Sequence, residues 1–162
     1  MYLSKLVKSK IYFLTLAVFT LLIPINTKAD LITPNNQIKP YQVIEIQLTS
    51  LMKNNLPEPD SGVKQTWEFA HPNNKKNTGP LSKFTNMLKG KSYEMLINHL
   101  DHQIDKVQSD DLKVLFEVTI LDSSKVYYKF NWQVEKYTGK GPLNDCWLTT
   151  IVSAPTPLGS SV

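Results

Sequence analysis

A run of helical patterns followed by a run of strand patterns predicts an α+β domain, with helices covering one face of an antiparallel sheet. Three observations carry that reading. Apolar residues recur at helical spacing from Tyr41 to Leu88. Beyond Gly90 the apolar period falls to two. The link between the two longest alternating segments is short and polar, which makes them a hairpin.

The first helix places Tyr41, Ile44, Leu48, Leu51 and Met52 on one face, with Gln42, Glu45, Thr49 and Lys53 turned away. Pro57 and Pro59 stop it. A second, shorter helix starts at Asp60 or Ser61, both good N-caps, and stacks Val63, Trp67 and Ala70. His71 to Asn77 reads as a polar loop. Gly79-Pro80 opens a third helix with proline at its favoured first position, an apolar stripe of Leu81, Phe84, Met87 and Leu88, and Gly90 as its C-terminal cap.

Among the strands, Leu112, Val114, Phe116, Val118 and Ile120 alternate with Lys113, Leu115, Glu117, Thr119 and Leu121. Val126, Tyr128, Phe130, Trp132 and Val134 alternate more cleanly with Tyr127, Lys129, Asn131, Gln133 and Glu135. Asp122 to Lys125 turns between these two, Gly139 to Asn144 is a second turn, and Cys146 to Val152 closes the meander. Tyr93 to Ile97 and Ile104 to Val107 are weaker strand candidates. Trp67, Phe84, Tyr128, Phe130 and Trp132 read as the core between sheet and helices, with an aromatic ligand box as the competing reading. No internal repeat is visible.

The ends of the chain carry their own signals. Lys5, Lys8 and Lys10 precede an apolar run from Ile11 to Ile23, Pro24 ends it, and Thr27-Lys28-Ala29 offers small residues at the −3 and −1 positions of a cleavage site. Residues 1–29 are therefore expected to be a signal peptide, the chain to be exported to a periplasm, lumen or extracellular space, and no membrane segment to remain after cleavage. A retained anchor fits less well, because the run is shorter than a span of about 20 residues. Residues 30–40, with Pro34 and Pro40, read as a flexible lead-in, residues 41–153 as one domain, and residues 154–162 as a disordered tail. Roughly 130 residues after the signal suffice for one core.

Composition narrows the function classes. The chain has 18 basic and 14 acidic residues, a net charge of +4. Four of the lysines lie before residue 30, so the remainder is balanced. Every basic residue is lysine, so bidentate arginine contacts to phosphate or guanine are absent and nucleic acid is not an expected partner. Cys146 is the single cysteine, which rules out an intramolecular disulfide; its apolar strand pattern predicts a buried, inert thiol. No nucleophile elbow, glycine-rich nucleotide loop or paired-cysteine motif occurs, and no cofactor is implied.

Two blocks extend this reading by resemblance. The run from Glu68 through Ala70-His71-Pro72-Asn73-Asn74 and Thr78-Gly79-Pro80-Leu81 to Phe84, followed by Met87 and Tyr93, resembles the signature of the domain of unknown function 4864 family. The closing Asp145-Cys146-Trp147-Leu148-Thr149 is similar to the same family. The resemblance spans about Tyr41 to Val152, with the long polar stretch His99 to Asp111 as a departure from shorter members. It implies export and the nuclear transport factor 2-like (cystatin-like) cone, in which a curved antiparallel sheet wraps its helices. It implies no catalytic residues. Other members of that superfamily include isomerases, dehydratases, small-ligand binders and interaction modules, so the fold alone assigns no activity.

The candidate chemistry is sparse. His99, Asp101, His102 and Asp105 are metal-ligand residue types, but neither an extended nor a helical backbone gathers three of them with certainty, and no metal is expected. Asn74, Lys75 and Thr78 offer polar donors at one end of the domain as a ligand-orienting rim; the competing reading is helix and turn capping. Asp145, at the start of the last strand, is a candidate general base if it faces an apolar cavity, with Trp147 beside it as a ligand contact; His99 is the other candidate base. Together these favour a non-enzymatic binding module for a small apolar ligand or a protein partner. The alternative is an isomerase- or hydrolase-like enzyme using Asp145 or His99 in the cavity. The polar outer row of the longest strand predicts a monomer or a weak dimer.

Overall fold

The computed structural model describes residues 30–160, so the expected signal peptide lies outside the described residues. Among the described residues, four helices precede five strands. The first helix, α1, runs over Pro40–Met52. Pro40 presets the backbone at its first position, and Lys39 N donates to Gln42 Oε1 at 2.8 Å. Its buried stripe is Val43, Ile44, Gln47, Leu48 and Leu51. Tyr41, expected inside, is 49% exposed, and the buried row includes a glutamine in its place.

The second helix, α2, spans Ser61–Glu68 and packs closely on α1. Gly62 permits the approach: a Cβ there would lie 2.1 Å from the Ser50 carbonyl oxygen. The first amides of α2 are capped from outside the helix. Gly62 N donates to Asn54 O at 3.1 Å, and Val63 N to Asn54 Oδ1 at 3.0 Å, with Asn54 buried. Asp60, the sequence-adjacent cap candidate, makes no such bond and instead receives Lys89 Nζ at 2.7 Å.

His71 to Asn77 is not a loop. Pro72–Thr78 form a third helix, α3, because Pro72 takes the first position and His71 Nδ1 accepts from Asn73 N at 3.1 Å. None of its residues is buried. Leu81–Leu88 form α4, with Pro80 one residue before the helix rather than in it, and Phe84 and Leu88 facing the core. Tyr93 to Ile97 is likewise not a strand: it contains a 3-10 turn, Glu94–Leu96, that buries Leu96.

The strands are β1 Asp101–Ser109, β2 Lys113–Leu121, β3 Val126–Lys136, β4 Trp147–Val152 and β5 Thr156–Ser160. All pair antiparallel in the order β1-β2-β3-β4, and β5 also pairs with β3. Since β2 occupies one side of β3, β4 and β5 share the other, β4 along Trp132 to Lys136 and β5 along Val126 to Lys129. Irregularities interrupt three of the ladders, between Lys106 and Gln108, Gln133 and Val134, and Tyr127 and Tyr128. At the β2–β3 turn, Asp122 Oδ1 accepts from Ser124 N and Val126 N at 2.9 and 2.8 Å.

The helices cover one face of the sheet. Val114, Phe116, Val118 and Ile120 of β2 and Phe130, Trp132 and Val134 of β3 pack with α1, Val63, Phe69, Phe84 and Leu88 into one core. The outer face pairs Lys113 with Glu135 at 3.4 Å and Lys129 with Glu117 at 3.2 Å, on the rows expected to point outward. Trp67 and Tyr128 are only partly buried against the core, while Phe84, Phe130 and Trp132 are inside it.

Two boundary expectations need correction, and the strand expected at Ile104 to Val107 is longer than its predicted bounds. The polar stretch His99 to Asp111 contributes an edge strand, β1, whose outward rows meet water on both the open face and the open edge. The segment expected as a disordered tail contains β5, paired with β3 because β4 leaves the lower half of that strand unpaired. The lead-in is tied down: Ile32 N donates to Gln65 Oε1 and Gln65 Nε2 to Ile32 O, both at 2.8 Å. No helix among the described residues is long and apolar enough to cross a membrane.

Candidate functional site

Side chains of the core do not fill the whole interior. Between α1, α4 and the inner face of β3 and β4 a cavity of about 130 Å³ remains. Its apolar wall includes Leu51, Ala70, Phe84, Met87 and Leu96, and its polar wall Gln47, Thr66, Asn74, Thr78, Tyr93 and Thr149. Trp132 and Val152, opposite one another across β3 and β4, form the floor.

The polar wall is a connected chain of neutral groups. Trp132 Nε1 donates to Thr149 Oγ1 at 3.2 Å, which donates to Gln47 Oε1 at 2.6 Å. Gln47 Nε2 donates to Thr66 O at 3.0 Å, and Thr66 Oγ1 to Gly62 O at 2.8 Å. No buried side-chain nitrogen or oxygen among the described residues lacks a partner. These groups are therefore mutually satisfied and held in place before any ligand arrives. Sequence reasoning passed over Gln47, yet it stands between Ile44 and Leu48 on the apolar stripe, and a polar residue on that stripe was the available signal.

The expected rim residues divide. Asn74 and Thr78 line the cavity; Asn74 Nδ2 donates to Thr149 O at 3.3 Å, and Thr78 Oγ1 to Asn74 O at 2.8 Å. Thr78 thus bonds within its own helix, and Asn74 ties α3 to β4. Lys75 does not line it: its ammonium lies 5.5 Å from the Trp67 ring centre and donates to Glu68 O at 3.4 Å, and burial lowers its pKa. The edge of β4 beside this region is closed by the chain after α2, with Thr149 N donating to Phe69 O and His71 N to Thr149 O.

Neither candidate base reaches the cavity. Asp145 is exposed in the turn before β4, at φ 62°, where its carboxylate accepts from Asn144 Nδ2 at 2.8 Å. The left-handed turn that starts β4 points it to solvent, against the expectation of a cavity-facing carboxylate. Trp147 lies at the opposite end of β4 from Val152, half-buried, with Lys136 Nζ 5.3 Å from its ring centre. Cys146 is buried, and burial raises its thiol pKa.

His99 is 2% exposed and precedes β1. Its Nδ1 lies 2.7 Å from Leu96 O, and since a carbonyl only accepts, Nδ1 carries the proton. His99 Nε2 is then the acceptor for His102 Nδ1, at 2.9 Å. Burial depresses the His99 pKa to about 4, with His102 adding to the effect and the Leu96 carbonyl and Asp101 opposing it. Asp101 and Asp105 do not join the pair: Asp101 Oδ1 accepts from His102 N, and Asp105 Oδ2 from Gln103 Nε2. Among the described residues no three His, Cys, Asp or Glu side chains converge as a metal site.

These features stand without a precedent to lean on: no family model matches the chain, and no curated protein or solved structure matches it.

Proposed function

We propose that this chain is an exported, cone-type binding module that holds a small neutral molecule, apolar over most of its surface, in the 130 Å³ cavity. The observation that carries the reading is the composition of that wall. It is a largely apolar, partly open pocket with a fixed set of neutral hydrogen-bonding groups, and its lining holds no carboxylate, imidazole or ammonium. An acid–base enzyme needs a titratable group within reach of its substrate, and Tyr93, whose hydroxyl donates to Val152 O at 3.3 Å, is the sole titratable side chain on the lining. The outer sheet face, with its two ion pairs, favours water over a protein partner. Export and membership of the nuclear transport factor 2-like superfamily rest on the N-terminal pattern and the two sequence blocks.

Size sets the ligand class. An apolar cavity of about 150 Å³ accommodates benzene, so the occupant is about that large, with one polar group for Asn74 or Thr78. Ligands this small reach Kd values of about 10 μM to 1 mM. The test is a titration with phenol, benzene and 1-naphthol, followed by ¹H–¹⁵N chemical shifts and thermal unfolding. Phenol is expected to shift Ala70, Thr149 and Trp132, and to stabilise by about 1.4 kcal/mol at ten times its Kd. The bulkier naphthol is excluded, and Ala70→Leu, which fills the space, abolishes phenol binding. Unchanged spectra at millimolar phenol and benzene would sink the proposal.

A further inference from the structure

A second, separate depression lies at the opposite end of β4, where α1 begins. This groove of about 430 Å³ is walled by Tyr41, Val114, Phe116 and Trp147, with Lys39 and Lys106 on its rim. Tyr41 meets Phe116 edge-on, with ring centres 6.4 Å apart. The exposure of Tyr41, on a position that helical periodicity assigns to the core, leaves its ring available along the groove.

The placement of the lysines is the informative feature. Lys106 pairs with Phe116 across β1 and β2, and Lys136 with Trp147 across β3 and β4. Both therefore stand on the inner rows of the sheet, where alternation elsewhere delivers Val118, Ile120 and Phe130. Lys136 lies over the Trp147 ring, and no carboxylate among the described residues is within ion-pair distance of Lys39, Lys106 or Lys136. The one carboxylate on the lining, Asp110, is already engaged, its Oδ1 accepting from Leu112 N and Lys113 N at 2.9 and 2.7 Å. An aromatic trough lined by two lysines without ion-pair partners, Lys39 and Lys106, complements a molecule with an apolar body and one negative charge.

We infer that this groove binds a small amphiphilic monocarboxylate, its headgroup between Lys39 and Lys106 and its apolar body over Phe116 and Trp147. The site is distinct from the first cavity in place, size and charge, and does not depend on it. The competing role for Lys106 is protection of the open β1 edge, where an inward-pointing charge discourages strand-to-strand aggregation.

The experiment compares octanoate, 1-octanol and octyltrimethylammonium at matched concentrations, followed by ¹H–¹⁵N shifts of the whole protein. Octanoate is expected to shift Tyr41, Phe116 and Trp147 while leaving Ala70 and Thr66 unmoved, and to weaken as salt rises. Octanol should bind at least roughly fivefold more weakly, and Lys106→Gln should cost octanoate roughly fivefold, the upper range for a half-exposed ion pair. Lys39→Gln supplies a second variant away from the open edge. Equal affinity for octanol and octanoate, shifts confined to the first cavity, or unchanged octanoate affinity in both lysine variants would each overturn the assignment. Aggregation of Lys106→Gln with octanoate affinity retained in its monomer would assign that lysine to edge protection instead. Failure of phenol in the cavity has no bearing on these outcomes.

Discussion

Lowering the pH from 7 to 4 should destabilise this protein through one buried side chain, His99. A histidine in the unfolded chain protonates near 6.5, whereas burial holds His99 to about 4 in the folded protein. The unfolded state thus binds a proton over that window and the folded state does not, so stability falls as the pH drops. It is fully present above about 6.5, declines by about 1.4 kcal/mol per pH unit, and levels off below about 4. The total is about 3 kcal/mol, a large share of the 5–15 kcal/mol typical of a domain. Two other groups bear on the curve. His71 is also lowered by burial, so it loses stability in the same direction, and its protonation removes the acceptor that caps α3. Asp60 is held below its ordinary range by its hydrogen bond to Lys89, so its contribution is lost only as the pH falls through and below about 4. Urea unfolding at half-unit pH steps, run beside His99→Gln, separates these contributions. The variant is expected to be less stable at pH 7 but to have a flatter curve between 6.5 and 4. An equal slope in both proteins, or an imidazole titration of His99 near 6.5 by NMR, would refute the reasoning.

Three substitutions probe the packing and the cavity wall. Thr149→Val deletes the hydroxyl between Trp132 and Gln47 and strands two buried polar atoms, so equilibrium unfolding should register a loss of about 3 kcal/mol. Gly62→Ala drives a methyl into the Ser50 carbonyl and the Asn54 Cα, both backbone atoms that cannot rotate away. Its cost should be about 3 kcal/mol despite a gain in helix propensity of about 1 kcal/mol, and a melting temperature at or above that of the parent would contradict the close α1–α2 approach. Asn54→Ala removes the cap on Val63 N and should cost about 2 kcal/mol in the same assay, with the amide exchange of Val63 accelerated.

Much of the core was legible because period and burial coincide. Phe116, Val118, Ile120, Phe130, Trp132 and Val134 alternate in sequence and are buried in the structure, since a strand with one covered face has no other arrangement. α3 was not legible, because Pro72-Asn73-Asn74-Lys75-Lys76 has no apolar stripe; capping by His71 and proline forms that helix rather than burial. β5, and the parts of β1 outside Ile104 to Val107, escaped for a related reason. Every residue of β5 is exposed, and β1 has both an open edge and an open face, so backbone pairing rather than hydrophobic alternation defines them.

The sequence by itself determined the α+β class, the placing of helices before strands, the β2–β3 hairpin with its register of buried residues, and the burial of Cys146. These follow from local spacing and turn chemistry, which act over a few residues. Tertiary structure alone decided the candidate sites. The cavity wall joins Gln47 to Thr149 across 102 positions, and Lys106 reaches the groove through its register with Phe116. Whether a polar residue is buried in a network or washed by solvent depends on partners supplied by distant elements, and no local pattern encodes those partners.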